Sequence, residues 1–288
     1  MKTPFSPKVI LITGCSSGFG LLMAARLASK GHKVYATMRD LNKKEFLLNE
    51  LKKRGATAEI LKLDVTDKKN VTEVFSKIGN DYGYLDVLIN NAGYGIGGFF
   101  EDLTDEEIRQ QLDTNFFGVQ NVTRQAIPLM RPRKAGKIIN LSSIAGLYAS
   151  PCFSAYNSSK WALEAFSESL RYELKPFGID VCVIEPGSYR TKIFDENARQ
   201  AKNFNNPQSP YYAMSQKLKE KFRKHVNDLH KNPEEIAILA EKLINTKNPP
   251  LRNIPDLEAK TLYFLRRLLP TNIFNAIVYI IFSKELQS

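Results

Sequence analysis

Tyr156 and Lys160 stand four residues apart in a segment that reads as a helix through residue 175 and stops at Pro176. That spacing puts a phenol and an ammonium on one helix face. Ser143 closes an apolar, β-branched run over 137–141. These three types suit the reduction of a carbonyl, which needs a proton donor beside the developing alkoxide. A free tyrosine pKa of about 10 is too high to cycle well at neutral pH. A nearby ammonium favours the phenolate and lowers that value, so Lys160 is expected close to Tyr156. A serine hydroxyl can hold the carbonyl oxygen in place. Tyrosine and lysine at this spacing are also common neighbours on helix surfaces, so the pair needs support from elsewhere in the chain.

Support comes from the start. An apolar strand over 8–13 runs into Gly14-Cys15-Ser16-Ser17-Gly18-Phe19-Gly20, followed by a helix to about residue 30 and a stop at Gly31. A strand, a glycine-rich turn and a helix start bring free N–H groups and a positive helix end together, where a pyrophosphate binds. The glycines remove Cβ atoms, so phosphate can approach the backbone. Asp64, after the third strand, could accept from an adenine amino group or could cap the next helix; Val65 follows it. Asn91-Ala92-Gly93 closes the fourth strand at the carboxyl edge, where ligands sit in open α/β sheets. The second strand, 33–38, bears on cofactor choice. It ends at Met38, where a carboxylate would take a ribose 2′-hydroxyl, and Arg39 follows, suited to a 2′-phosphate. Ser16 or Ser17 could add a hydroxyl. The reading is NADP(H) in preference to NAD(H), with Asp40 as a competing partner for Arg39 or for the ribose.

The elements that must position these residues alternate. Strands are expected over 8–13, 33–38, 60–65, 85–90, 137–141 and 179–185, with amphipathic helical segments between them. Such alternation implies a parallel sheet with helices on both faces, and right-handed crossovers make it doubly wound. After Pro186 the rhythm breaks: a polar loop over 203–212, charged and apolar helices over 215–230 and 233–245, an irregular proline-rich stretch over 248–256, then an apolar, basic tail. No repeat or linker divides the chain, so a single domain, 1–288, is expected. Within it, 188–232 covers the substrate and 256–288 forms a helical extension.

Composition excludes several classes. At 43% apolar and 25% charged, without low-complexity tracts, the chain is not disordered. Three cysteines, Cys15, Cys152 and Cys182, are too few and odd in number for a disulfide scaffold. The first eight residues hold two prolines and read as no secretory signal, and the longest apolar run, 273–282, is half of a bilayer span of about twenty. A cytoplasmic location is expected, with membrane association through the tail as the alternative. The net charge of +11 is uneven, with +7 on residues 199–288. The basic run over 217–224 lacks interleaved aromatics and glycines, so no nucleic acid partner is expected. His225 and His230 lack a third ligand, so no metal site is expected.

Taken together, TGCSSGFG, NNAG, Ser143 and the Y-N-S-S-K run resemble the short-chain dehydrogenase/reductase family, over about residues 8–195. The wording of VYATMRD and GCSSGFG looks like its hydroxysteroid and retinol dehydrogenase-like branch. The resemblance implies a Rossmann-type sheet, usually of seven strands; here the seventh, 251–254, is short and hemmed by prolines. It implies that Asn115 completes a tetrad with Ser143, Tyr156 and Lys160 by relaying protons through a water to Lys160. It places Tyr156 and Lys160 also on the cofactor, Lys160 gripping its ribose, and implies that Pro186, Gly187 and Thr191 meet the nicotinamide. It further implies a homodimer or homotetramer through the helices carrying Asn115 and Tyr156.

Aromatic and apolar residues expected around the mouth are Tyr94, Ile96, Phe99, Phe100, Leu147, Phe153, Tyr189 and Phe194. They suggest a bulky apolar ketone or alcohol. The tail is expected as a lid or packing face, with peripheral membrane contact as the alternative. A second functional class, a non-catalytic NADP(H) sensor, would have no need to keep an acid, its activator and a relay together.

Overall fold

The computed structural model describes residues 6–190 and 198–287. Among these described residues nine strands occur in chain order: β1 (Val9–Ile12), β2 (Lys33–Met38), β3 (Glu59–Lys62), β4 (Val87–Asn90), β5 (Gly95–Gly97), β6 (Gly136–Leu141), β7 (Ile179–Ile184), β8 (Ala198–Gln200) and β9 (Arg252–Asn253). The α-helices are α1 (Gly18–Ser29), α2 (Lys44–Lys53), α3 (Lys68–Tyr82), α4 (Asp105–Leu112), α5 (Gly118–Met130), α6 (Ser154–Leu174), α7 (Tyr212–Asn227), α8 (Glu234–Asn245), α9 (Leu257–Leu268) and α10 (Thr271–Gln287). Seven strands form one parallel sheet in the order β3-β2-β1-β4-β6-β7-β9. The doubly wound, Rossmann-type expectation is met.

Side chains alternate across the sheet, as a two-residue period requires. Ile10, Ile12, Val34, Ala36 and Met38 face α1, α2 and α8. Val9, Leu11 and Tyr35 face α3, α5 and α6. Both faces are therefore covered, and the strand order reverses between β1 and β4, which opens a crevice at their carboxyl ends.

The seventh strand needs another explanation. β9 is two residues long and pairs with the end of β7. What fixes it is charge. Arg252 pairs with Glu164, with Glu168 at 3.1 Å and with Glu185 at 3.6 Å. The buried Glu185 carboxylate also accepts from Asn253 N–H at 2.7 Å.

Several boundaries move. The third strand lies at 59–62 rather than 60–65, so Asp64 follows it by two residues. The charged helix starts at Tyr212, three residues earlier than its charge pattern suggests. The tail divides into α9 and α10, because Pro270 cannot continue a helix. A small parallel pair, β5 with β8, joins the segment after Gly93 to residues 198–200; its glycine-rich strand carries no alternating pattern to announce it.

Candidate active site

β1 delivers the chain into the glycine turn at the crevice. Gly14 has φ of +73° and Gly18 of +56°, a backbone that side chains rarely adopt. A Cβ on Gly20 would stand 2.3 Å from the Gly14 carbonyl oxygen and 2.4 Å from the Asn91 amide nitrogen. One on Gly14 would meet the Ala92 backbone at 2.8 Å. The turn is thus pressed against 91–92. The Asn91 amide donates to the carbonyls of Thr13 (2.9 Å) and Gly14 (3.0 Å). Thr13 hydroxyl accepts from Asn91 and Ala92 N–H at 3.0 and 2.9 Å.

Helix α1 begins without a side-chain cap on Ser17 and without an acidic residue in its first turn. Its leading N–H groups therefore retain their capacity for an anion, and neither serine hydroxyl is spent on capping. The turn fits the pyrophosphate of a dinucleotide. Phe19 packs edge-on against Tyr189 at 5.7 Å, which seats the helix start on the body.

At the end of β2, Met38 is buried and Arg39 is exposed. Asp40 accepts from Asn42 N–H at 3.0 Å and caps the short turn Leu41–Lys43. Asp64 is not the cap of α3: that is Asp67, which accepts from Lys69 and Asn70 N–H. Asp64 holds Thr66 instead, through its N–H (3.0 Å) and hydroxyl (2.7 Å). Val65 turns its side chain into the core, and its carbonyl accepts from Asn121 at 3.1 Å.

Across the crevice, Ser143 lies just past β6 and caps a short turn by accepting from Ala145 N–H at 3.1 Å. Tyr156, in the first turn of α6, has its hydroxyl beside the Ser143 side chain, which pulls the phenol's pKa down. Its ring lies on Gly95, where a Cβ would touch it at 3.5 Å. Lys160 Nζ is 5.7 Å from the Tyr156 ring centroid and donates to Leu141 carbonyl at 2.9 Å. Four of the sequence-predicted elements thus meet at one rim: the turn, the 91–93 segment, Ser143 and the Tyr156–Lys160 pair.

The electrostatics differ from expectation. Burial pushes the Tyr156 phenol up, and the Ser143 side chain opposes this only in part. The ammonium does not win, because Lys160 is itself buried and desolvation pulls its pKa down to about 8, with Glu164 pulling the other way. Glu164 lies one helical turn beyond Lys160 and is not among the residues singled out from the sequence. Glu185, buried beside it, is pushed up to about 9 by desolvation, against the pull of Arg252.

Asn115 sits in a single π turn, Asp113–Phe117, which interrupts the helix between α4 and α5. It is buried, donates to Tyr94 carbonyl (2.9 Å) and Ser159 hydroxyl (3.1 Å), and accepts from Tyr94 N–H (3.1 Å). It ties the backbone beyond Gly93 to α6, one residue before Lys160. A Cβ on Gly93 would stand 3.1 Å from the Asn115 side-chain oxygen. Pro186 carbonyl accepts from Ile144 N–H at 3.0 Å, which brings 186–187 beside Ser143. Gly187 N–H donates to Asp256 at 3.0 Å, and the same carboxylate caps α9 and pairs with Lys231 at 2.7 Å. Asp256 carries no motif and escapes sequence reasoning. Thr191 and Phe194 lie outside the described residues.

At the mouth, Phe99 stacks on Tyr211 (4.3 Å), and Phe153 lies beside Phe222 (6.4 Å). Arg199 covers the Tyr94 ring at 4.5 Å. Phe100 is exposed. Ile96 and Tyr189 are not mouth residues: both are at least 98% buried, and Tyr189 hydroxyl donates to Glu235 at 3.1 Å. Leu147 is half-buried. Burial pushes the Cys152 thiol up to about 12, which disfavours its thiolate.

The comparisons with known proteins agree with this geometry. The family model described as short chain dehydrogenase matches residues 8–202. A 3-ketodihydrosphingosine reductase of Bacteroides thetaiotaomicron is 40% identical over 85% of this chain and 87% of its own. Human retinol dehydrogenase 8 is 34% identical over 91% and 85%. A short-chain dehydrogenase from Streptomyces avermitilis superposes with a TM-score of 0.78 at 35% identity, over 90% of this chain and 92% of its own. Two further solved chains differ in cofactor. An actinorhodin polyketide ketoreductase with NADPH has a TM-score of 0.73 at 27% identity, covering 86% and 95%. A short chain dehydrogenase/reductase from Burkholderia phymatum with NAD has a TM-score of 0.78 at 25% identity, covering 92% and 94%. The glycine cradle, the Ser143–Tyr156 contact and these matches lead to one conclusion: the chain belongs to the short-chain dehydrogenase/reductase family of oxidoreductases, resembling its retinol and hydroxysteroid dehydrogenase branch.

Proposed function

We propose that this protein is an NADP(H)-dependent oxidoreductase acting on a secondary alcohol or ketone of bulky, apolar, lipid-like character. The observation that carries the reading is the Ser143–Tyr156 hydroxyl pair beside the glycine cradle, with Lys160 held at the same rim. When bound, the nicotinamide supplies or receives the hydride. Ser143 orients the substrate oxygen, and Tyr156 gives that oxygen its proton in reduction or takes it in oxidation. Lys160, as its ammonium form, favours loss of the Tyr156 proton and would hold the cofactor ribose. Asn115 holds the backbone at Tyr94 that carries Gly95 against the Tyr156 ring. Gly14, Ser16–Gly18, Phe19 and Gly20 would hold the pyrophosphate, 91–93 and Asp64–Val65 the adenosine side, and Pro186–Gly187 the nicotinamide.

Arg39 supports NADP(H), since Asp40 is engaged with Asn42 and the guanidinium stays exposed for a 2′-phosphate. The mouth aromatics support an apolar substrate, as do the substrates named for two relatives, a sphingoid ketone and retinol. Exposed Phe117, Trp161 and Tyr172, on or next to the helices carrying Asn115 and Tyr156, support a homodimer or homotetramer. No observation favours the non-catalytic sensor.

The test is NADPH oxidation over a panel of steroid, retinoid, fatty and small aromatic ketones. Tyr156→Phe should lower turnover by about 10²–10⁴-fold with NADPH binding kept; a wild-type rate in that variant overturns the assignment. Arg39→Asp should move the NADPH/NADH preference by about tenfold or more towards NADH. An unchanged NADPH affinity would reject the cofactor assignment alone.

A further inference from the structure

Helices α9 and α10 carry apolar residues on two faces. The inner face of α10 is seated on the body: Phe274 is buried and meets Tyr148 edge-on at 6.4 Å, and Phe282 meets Phe99 at 6.4 Å. The outer face is different. On α10, Ile273, Ile277, Ile280 and Ile281 recur at the spacing of one helical stripe and are 41–55% exposed. On α9, Leu257, Phe264, Leu265 and Leu268 form the same stripe and are 44–79% exposed. A stripe of this period normally faces a core, and contiguous exposed apolar surface marks a contact site.

Charge indicates what covers it. Helix α7 packs against α10. Together α7, α9 and α10 hold nine lysines and arginines against three carboxylates. Arg266 and Arg267 lie with their guanidiniums over the rings of Phe274 (5.2 Å) and Tyr263 (5.6 Å), long side chains at the junction of the two helices. Exposed apolar side chains on helices with this cationic excess fit the boundary between acyl chains and anionic headgroups. A second copy fits less well, because a two-fold contact sets this cationic excess against itself. Among the described residues no helix is long and apolar enough to cross a bilayer, so the pair would lie on the surface.

We propose that the outer face of α9 and α10 docks the protein on an anionic lipid bilayer. The docking does not depend on the substrate reading. Asp256, which caps α9 and accepts from Gly187 N–H, links the docked helices to the turn beside Ser143.

The experiment is co-sedimentation of the full chain with vesicles of phosphatidylcholine alone or mixed with phosphatidylglycerol, at low and high salt. Binding should be at least about tenfold stronger to the anionic vesicles and should weaken with salt. The charge-neutral pair Ile277→Ser and Ile280→Ser, both exposed, should lower binding by about tenfold while folding and NADPH binding persist. Equal recovery of wild type in the supernatant with both vesicle types overturns the proposal, as does wild-type binding by the double variant. Self-association abolished by the double variant, measured by light scattering without any vesicle binding, overturns it in favour of a second copy. None of these readouts requires turnover, so failure here and failure of the oxidoreductase reading are distinguishable.

Discussion

Helices α1 and α10 are both rich in apolar residues, yet they meet opposite surroundings. In α1, Met23, Ala24, Leu27 and Ala28 all turn towards the sheet and are buried, in company with α2 and α8. In α10, Phe274 is buried and Val278 and Phe282 are half-buried on the inner side, while a second apolar stripe faces outward. The reason lies in chain order. Helix α1 leaves β1 and returns to β2, so the sheet is at hand to take its apolar face. Helices α9 and α10 follow the last strand, when α1, α2 and α8 already cover one side and α3, α5 and α6 the other. Only the rim is left, and the rim takes one face. Periodicity tells which side chains share a surface; it does not tell what that surface meets.

That contrast can be broken by mutation. Leu27→Ala removes a wholly buried side chain between α1 and the sheet and should cost about 2–5 kcal/mol in denaturant unfolding. A smaller cost would mean that the first stripe is loosely packed and the contrast weaker than drawn.

An intermediate effect concerns the rim of the crevice. Lys160 is held at about 8 when folded, against 10.5 for an ordinary lysine. Between those values the unfolded chain binds the extra proton, so the Lys160 contribution to stability rises with pH across that window. Relative to Lys160→Met, wild type should gain up to about 3 kcal/mol there, read from unfolding midpoints at several pH values. A flat difference would mean that Lys160 is less desolvated than its burial implies.

The smallest effect sharpens the other side of the comparison. Leu268 is 77% exposed, so Leu268→Ala should change stability by no more than about 0.5 kcal/mol without lipid. A cost like that of Leu27→Ala would show that the outer stripe is already covered in solution.

The legible parts of the site share one property: their function is written in backbone or spacing. Gly14 and Gly20 announce themselves because a Cβ there would strike 91–92 or the turn itself. Tyr156 and Lys160 declare a shared helix face through their spacing. The illegible parts act through distant partners. Asp256 reaches Gly187 from 69 residues away, and Arg252 reaches Glu164 from 88 away. Tyr189 is expected among the mouth aromatics, but its ring turns back into the core against Phe19. The direction of the Tyr156 shift was missed for a related reason. Spacing brings a cation near; only burial decides whether desolvation or charge prevails.

The amino-acid sequence by itself determined the alternation of strands and helices, the glycine turn after β1 and the identity of the hydroxyl and ammonium groups. Each rests on local physics: side-chain period, the steric demand of a Cβ, and the reach of one helical turn. Tertiary structure alone decided that a two-residue strand completes the sheet, because Arg252 finds Glu164 and Glu168 of α6 and Glu185 just past β7. It alone decided which tail stripe is covered, because that depends on where the sheet had already been closed.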